Sequence, residues 1–181
     1  MFAVGELVVY PAQGVGMVER IEEQEIGGVK TQLYIVRILS NNVTLMVPVS
    51  NAENVGLRPV YNQEQGKAIL EFLQDRSDFT GYTGQNWNRR YREYSEKLKS
   101  SDLKDVAYVL KELYLISKDK ELSFGERRLL EQAMSLISME LSYALNVTQS
   151  EAKKMIEGFF ADILNKKEDE SPSEEEKIDE K

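Results

Sequence analysis

The sequence predicts an α+β protein: a small SH3- or Tudor-like β-barrel, then a compact all-α domain, then a disordered acidic tail. Three observations predict it. Residues 1–60 set β-branched and aromatic runs between Gly, Pro and Asn turn signals; from Asn62 the apolar period becomes helical; and the final NKKEDESPSEEEKIDEK has no apolar period at all. The boundaries read 1–60, 61–165 and 166–181.

The strands come first. ELVVY precedes PAQGVG, where Pro11, Gly14 and Gly16 mark a tight bend, and MVERIEEQEI alternates apolar positions between Met17 and Ile21 with charge before the Gly27-Gly28 turn. TQLYIVRIL is rich in β-branched and aromatic residues and stops at Asn41-Asn42; VTLMVPV follows. Four or five short strands in under 60 residues are too few for a sandwich and fit a small twisted barrel. Pro48 has no N–H to give to a ladder and belongs on an edge. The barrel is therefore expected to keep an open edge around residues 46–49, where another protein can add a strand.

The helices follow. QGKAILEFLQ places Ile69, Phe72 and Leu73 on one side, and Leu103, Val106, Ala107, Leu110, Leu113 and Tyr114 repeat that spacing. Ser123 with Glu126, and Thr148 with Glu151, each fit a capping box, in which a hydroxyl and a carboxylate three residues apart satisfy exposed backbone N–H groups. The stripes behind them run Leu129, Leu130, Ala133, Leu136, Ile137, Leu141, Ala144, then Ala152, Met155, Ile156, Phe159, Phe160, Ile163. Such faces must bury one another, which predicts a bundle of about five helices, counting one after Trp87.

Composition bounds the function. Of 181 residues, 41% are hydrophobic and 30% charged, and no apolar run approaches the roughly 20 residues of a membrane span. The N-terminus lacks the basic, apolar, small-residue order of a signal peptide, so a cytoplasmic protein without membrane contact is expected. With no cysteine and no histidine there is no thiolate nucleophile, histidine base, Cys/His zinc site or disulfide. Glu22, Glu23 and Glu25, consecutive acids on a strand or turn, read as solvated charge rather than as a metal or acid/base site. The expectation is a non-enzyme with no cofactor and no metal.

The net charge of −8 is uneven: residues 61–99 carry +1 and the final 166–181 carry −4. Within WNRRYREYSEKLK, Arg89, Arg90, Arg92, Lys97 and Lys99 face only Glu93 and Glu96, a local +3 beside the only tryptophan. If 87–99 is a helix, Tyr91, Tyr94 and Leu98 form its buried stripe, while Arg89, Arg92 and Lys99 point away. Two readings of Trp87 stand on spacing alone. It lies four residues before Tyr91, as a core residue would; yet Gly81, Gly84, Asn86 and Asn88 offer no apolar neighbours, as suits an indole pressed against bases while arginines hold flanking phosphates.

GELVVYPAQGVGMVERI, YIVRI, LMVPVSNAENVGLRPV, NWNRRYREYSEKLKS and ELSFGERRLLEQA resemble, in order and spacing, the CarD/CdnL family of bacterial transcription regulators, over about residues 2–164. The N-terminal part is also similar to the polymerase-interacting domain of transcription-repair coupling factor. The resemblance implies a Tudor-like domain that holds the β subunit of RNA polymerase and a helical domain on promoter double-stranded DNA at the upstream edge of the melted region. There a tryptophan in the minor groove hinders reclosing and prolongs the open complex. It implies Trp87 as the wedge, Arg89, Arg90 and Arg92 as phosphate holders, and Val36, Arg37, Met46 and Pro48 as polymerase contacts. Some relatives place arginines where this chain has Gln24 and Met46, so the polymerase contact is expected to be more apolar here. The competing reading is a protein–protein adaptor with Trp87 as an interface anchor; steep salt dependence of binding separates DNA contact from it. No apolar stripe is left over, so a monomer is expected.

Overall fold

The computed structural model describes residues 1–77, 79 and 87–169, with Trp87 and residues 166–169 described in their backbone only. The acidic tail beyond residue 169 and the approach to Trp87, residues 80–86, lie outside the described residues. Strands β1 (Leu7–Tyr10), β2 (Gly14–Ile26), β3 (Val29–Ile38), β4 (Thr44–Pro48) and β5 (Arg58–Pro59) make one antiparallel sheet in the order β4-β3-β2-β1-β5. Helices α1 (Gln63–Gln74), α2 (Trp87–Leu98), α3 (Leu103–Ile116), α4 (Phe124–Ala144), α5 (Gln149–Phe159) and α6 (Ala161–Asp169) follow. The α+β class stands.

The sheet buries Val8, Val18, Tyr34, Val36, Ile38 and Val47 on one face, with Ala52 and Leu57 closing over them. Gly16 is required here, because a Cβ on it would lie 2.7 Å from Val36 Cγ1 and 3.1 Å from the Arg37 carbonyl oxygen. Two strands are longer than expected: β2 has 13 residues and β3 has 10. Their hairpin closes on Gly27 and Gly28, at φ +60° and +80°, the positive pair that a twisted two-residue turn requires. The outer half of this ribbon, acid-rich and solvated, is held by its ladder rather than by burial, so the alternation of its side chains understates its length. Between Val18 and Arg20 the ladder shifts register, with Glu19 as the extra residue of a bulge. As expected, Pro48 sits on an edge: β4 pairs only with β3.

The helical core is built from Ile69, Leu73, Tyr94, Leu98, Leu110, Leu113, Ile137, Leu141, Ile156 and Phe160, drawn from five helices and the break after α5. Both expected capping boxes form, Ser123 with Glu126 and Thr148 with Glu151, and Asn62 with Gln65 forms a third. There are six α-helices among the described residues rather than about five, because the last expected stripe is broken at Phe160. Its backbone turns to φ −117°, ψ 20° while its ring, fully buried, stacks on Tyr114 at 4.6 Å between centroids. Two expected stripe members face out instead: Met155 on α5 and Tyr91 on α2. No helix among the described residues is long and apolar enough to cross a membrane.

Glu126 gives the α4 cap a pH dependence. Burial pushes its carboxyl upward, but Lys120 Nζ at 2.9 Å and the Ser123 backbone and hydroxyl outweigh this and hold it below the usual value of 4.5. A carboxyl depressed in the folded state contributes stability that is complete above the unfolded value and drains as the pH falls below it. Urea unfolding of Glu126→Gln is therefore expected to show a flatter loss of stability below pH 4.5 than the parent, and a lower stability at pH 7 by about 1–2 kcal/mol.

Candidate nucleic-acid and partner interface

Helix α2 carries the basic segment, and folding sorts its charges. Tyr94 and Leu98 are buried, which turns Arg89, Arg92 and Lys99 to solvent together with Asn88 and Glu96. Arg90 and Lys97 are set differently. Lys97 is half-buried, 3.9 Å from Asp105 and 4.7 Å from the Tyr108 ring centroid. Arg90 is also half-buried and acts on the hydroxyls of Tyr94 and Tyr108. Burial first, and the Glu112 carboxylate second, push both phenols well above the usual tyrosine range, while Arg90 opposes the shift. Of the three arginines expected to hold phosphates, two are thus presented outward and the third is turned partly toward the bundle. Trp87 opens the helix in the backbone; the placement of its indole lies outside the described residues.

Tyr91 is 42% exposed because it faces a cleft rather than the core. This cleft, about 430 Å³, lies between the barrel turns at Ala12, Gln13, Ser40 and Asn41 and the facing sides of α2 and α4. Along it Tyr91 and Leu98 of α2 share walls with Leu129 and Leu136 of α4, and a smaller cavity brings Leu98 and Leu136 together again with Glu140. The lining takes α2 from Tyr91 to Leu98 and α4 from Leu129 to Leu136. The first turn of α4 adds a group that the apolar period does not predict: Phe124, 71% exposed, with exposed Arg127 and Arg128, the latter guanidinium 6.0 Å from the Phe124 ring centroid. The signal was in ELSFGERRLL, where Phe124 falls outside the apolar period that starts at Leu129.

On the barrel, the four residues expected to meet a partner are brought to adjacent strands but not to one surface. Ile35 pairs with Met46, Leu33 with Pro48, and Arg37 with Thr44. Met46 is 62% exposed on the free edge strand and Pro48 is half-buried beside it. Arg37 is partly exposed, donating from Nε to Glu19 at 2.6 Å and from Nη1 to Asn42 at 3.3 Å. Val36 points the other way: its side chain is fully buried in the barrel core, so it supports this surface without touching what lies on it.

Two family models match the chain, the CarD-like/TRCF RID domain over residues 2–61 and the CarD C-terminal domain over residues 68–157. Among curated proteins the chain is 31% identical over 153 residues to "Putative transcription factor YdeB" of Bacillus subtilis (strain 168), a match covering 84% of this chain and 98% of that one. The barrel falls within the first family match and most of the helical bundle within the second, and a relative matches across both: the chain belongs to the CarD family of transcription factors.

Proposed function

We propose that the chain is a non-catalytic regulator of transcription initiation that binds the RNA polymerase β subunit with its barrel and promoter DNA with α2, stabilising the open complex through Trp87 at the upstream edge of the bubble. The observation that carries this reading is the pairing of two surfaces in one molecule. One is an open edge strand with exposed Met46; the other, on the opposite side of the seam, is a helix that begins at the only tryptophan and presents Arg89, Arg92 and Lys99 to solvent. The family match of the barrel to the RID domain supports the polymerase side. Three or four phosphate contacts give weak, salt-sensitive affinity; docking on polymerase supplies the local concentration that makes such a contact count.

The direct test is the lifetime of an open promoter complex after heparin challenge, with and without the protein. A lengthened lifetime supports the reading, and an unchanged one overturns it. The phosphate contacts have their own signature. Arg89→Ala and Arg92→Ala are each expected to lower the slope of log K against log salt by about 1, uniformly across sequences, in a fluorescence anisotropy titration with duplex DNA. Arg90→Ala is expected to change the slope less, because that side chain is turned partly into the bundle. If binding to DNA shows no salt slope to lower, the adaptor reading takes its place.

A further inference from the structure

The seam between barrel and bundle has a closed end and an open end. At the closed end, the Arg58 guanidinium of β5 donates from Nη1 and Nη2 to the two carboxylate oxygens of Glu140 on α4, both at 2.7 Å. Its Nε donates to the Ser101 carbonyl in the turn between α2 and α3, and Nη1 also reaches the Pro59 carbonyl at 3.1 Å. The guanidinium lies 4.2 Å from the Tyr61 ring centroid. Glu140 accepts a further bond from the Tyr61 N–H at 2.9 Å, and the Tyr61 hydroxyl donates to Asp102 at 2.9 Å. One side chain of the barrel thus grips the α2–α3 turn and α4 together. Gly56, at φ +83°, lets the chain pass close enough for this, since a Cβ there would stand 2.9 Å from Ser101 Cβ and 3.0 Å from Pro11 Cγ. The open end is the cleft beside Tyr91, lined by the barrel turns at Ala12, Gln13, Ser40 and Asn41 and by the sides of α2 and α4.

Burying a carboxylate to 2% side-chain exposure is costly, and an apolar pair of the same volume serves packing as well or better. What the forked pair adds is geometry: two parallel N–H···O bonds fix an angle as well as a distance. We infer that Arg58 and Glu140 are positioning residues that hold the barrel and the α2 surface at one angle, and that this angle governs how much the chain stabilises a polymerase-bound promoter. The inference rests on the function proposed above. Its physical basis is that two modules bound to one assembly reinforce each other only when the link between them matches the span, and a loosened link dilutes the second contact.

The test uses the full chain. It contains no cysteine, so Lys30→Cys on the barrel and Lys153→Cys on α5, both exposed positions, take spin labels cleanly. In the parent, a single narrow distance distribution is expected by electron–electron double resonance. In Arg58→Lys and Glu140→Gln the distribution is expected to broaden, polymerase affinity to stay within about twofold, and the gain in open-complex lifetime to fall at least about tenfold. Glu140→Asp, which keeps the charge and shortens the arm, serves if either variant fails to fold and is expected to behave as they do. Distances that stay narrow, or that broaden while the lifetime gain is kept, overturn the inference. If the parent itself does not lengthen the lifetime, the functional reading falls and this inference with it, whatever the distances show.

Discussion

Trp87→Ala is expected to remove most of the gain in open-complex lifetime, about tenfold, while leaving polymerase affinity within about twofold. An aromatic ring stacked on a base contributes roughly 1–3 kcal/mol, and 1.36 kcal/mol in a barrier to collapse is about tenfold in rate. Alanine is the best helix former, so the first turn of α2 is not weakened by the exchange itself. Arg89, Arg92 and Lys99 stay on their outward face, held there by the burial of Tyr94 and Leu98. The variant therefore keeps the electrostatic contact and loses the wedge: its salt slope on DNA should match the parent's while its lifetime does not. Trp87→Phe, which keeps a smaller ring, is expected to fall between. A Trp87→Ala protein that protects the open complex as well as the parent would falsify the wedge and leave the arginines alone to account for any effect.

Phe160→Ala is expected to cost about 3–5 kcal/mol of stability, the largest loss from a single truncation considered for the helical domain. The ring is fully buried, stacks on Tyr114 and lies beneath the Arg76 guanidinium at 5.5 Å from its centroid. Arg76 in turn bonds Asp162 at 2.8 and 3.0 Å and the Phe159 carbonyl at 2.9 Å, so the ring supports the link between the end of α1 and the start of α6. Arg76 holds the Asp162 carboxyl below its usual range. Removing the ring leaves a cavity that the kinked backbone at α5–α6 cannot fill. Urea unfolding followed by helical circular dichroism measures the loss, and a cost under about 1 kcal/mol would show that the site collapses around the gap. The barrel, whose core is separate, should keep its affinity for polymerase under conditions where the variant remains folded.

How much of this was legible beforehand depends on the distance over which each feature is decided. The capping boxes at Ser123 and Thr148 are decided within four residues, and both form as read. The open edge at Pro48 follows from a missing N–H and also holds. The helical period alone places Tyr91 in the buried stripe; whether a helix face meets core or cleft depends on barrel turns some 50 to 80 residues earlier, which no local period encodes. The grip of Arg58 on Glu140, 82 residues apart, is of the same kind. Val36 shows a subtler limit. The resemblance places it among polymerase contacts, but on a strand adjacent residues face opposite sides: Val36, paired with Val18, packs into the barrel core, while Arg37 next to it is partly exposed on the other face.

The bulge at Glu19 has a consequence for chain length. In a regular ladder, removing one residue turns every later side chain of that strand to the opposite face. Residue 19 is different: Val18 already pairs with Val36 and Arg20 with Ile35, neighbouring steps on β3, so a chain lacking Glu19 meets the same partners in the same facing. What it forgoes is the bend of the hairpin and the carboxylate that accepts from Arg37 at 2.6 Å. Within this strand, position 19 is the place where a one-residue deletion is compatible with the barrel core, and where the aim of the long hairpin can be altered without repacking beneath it.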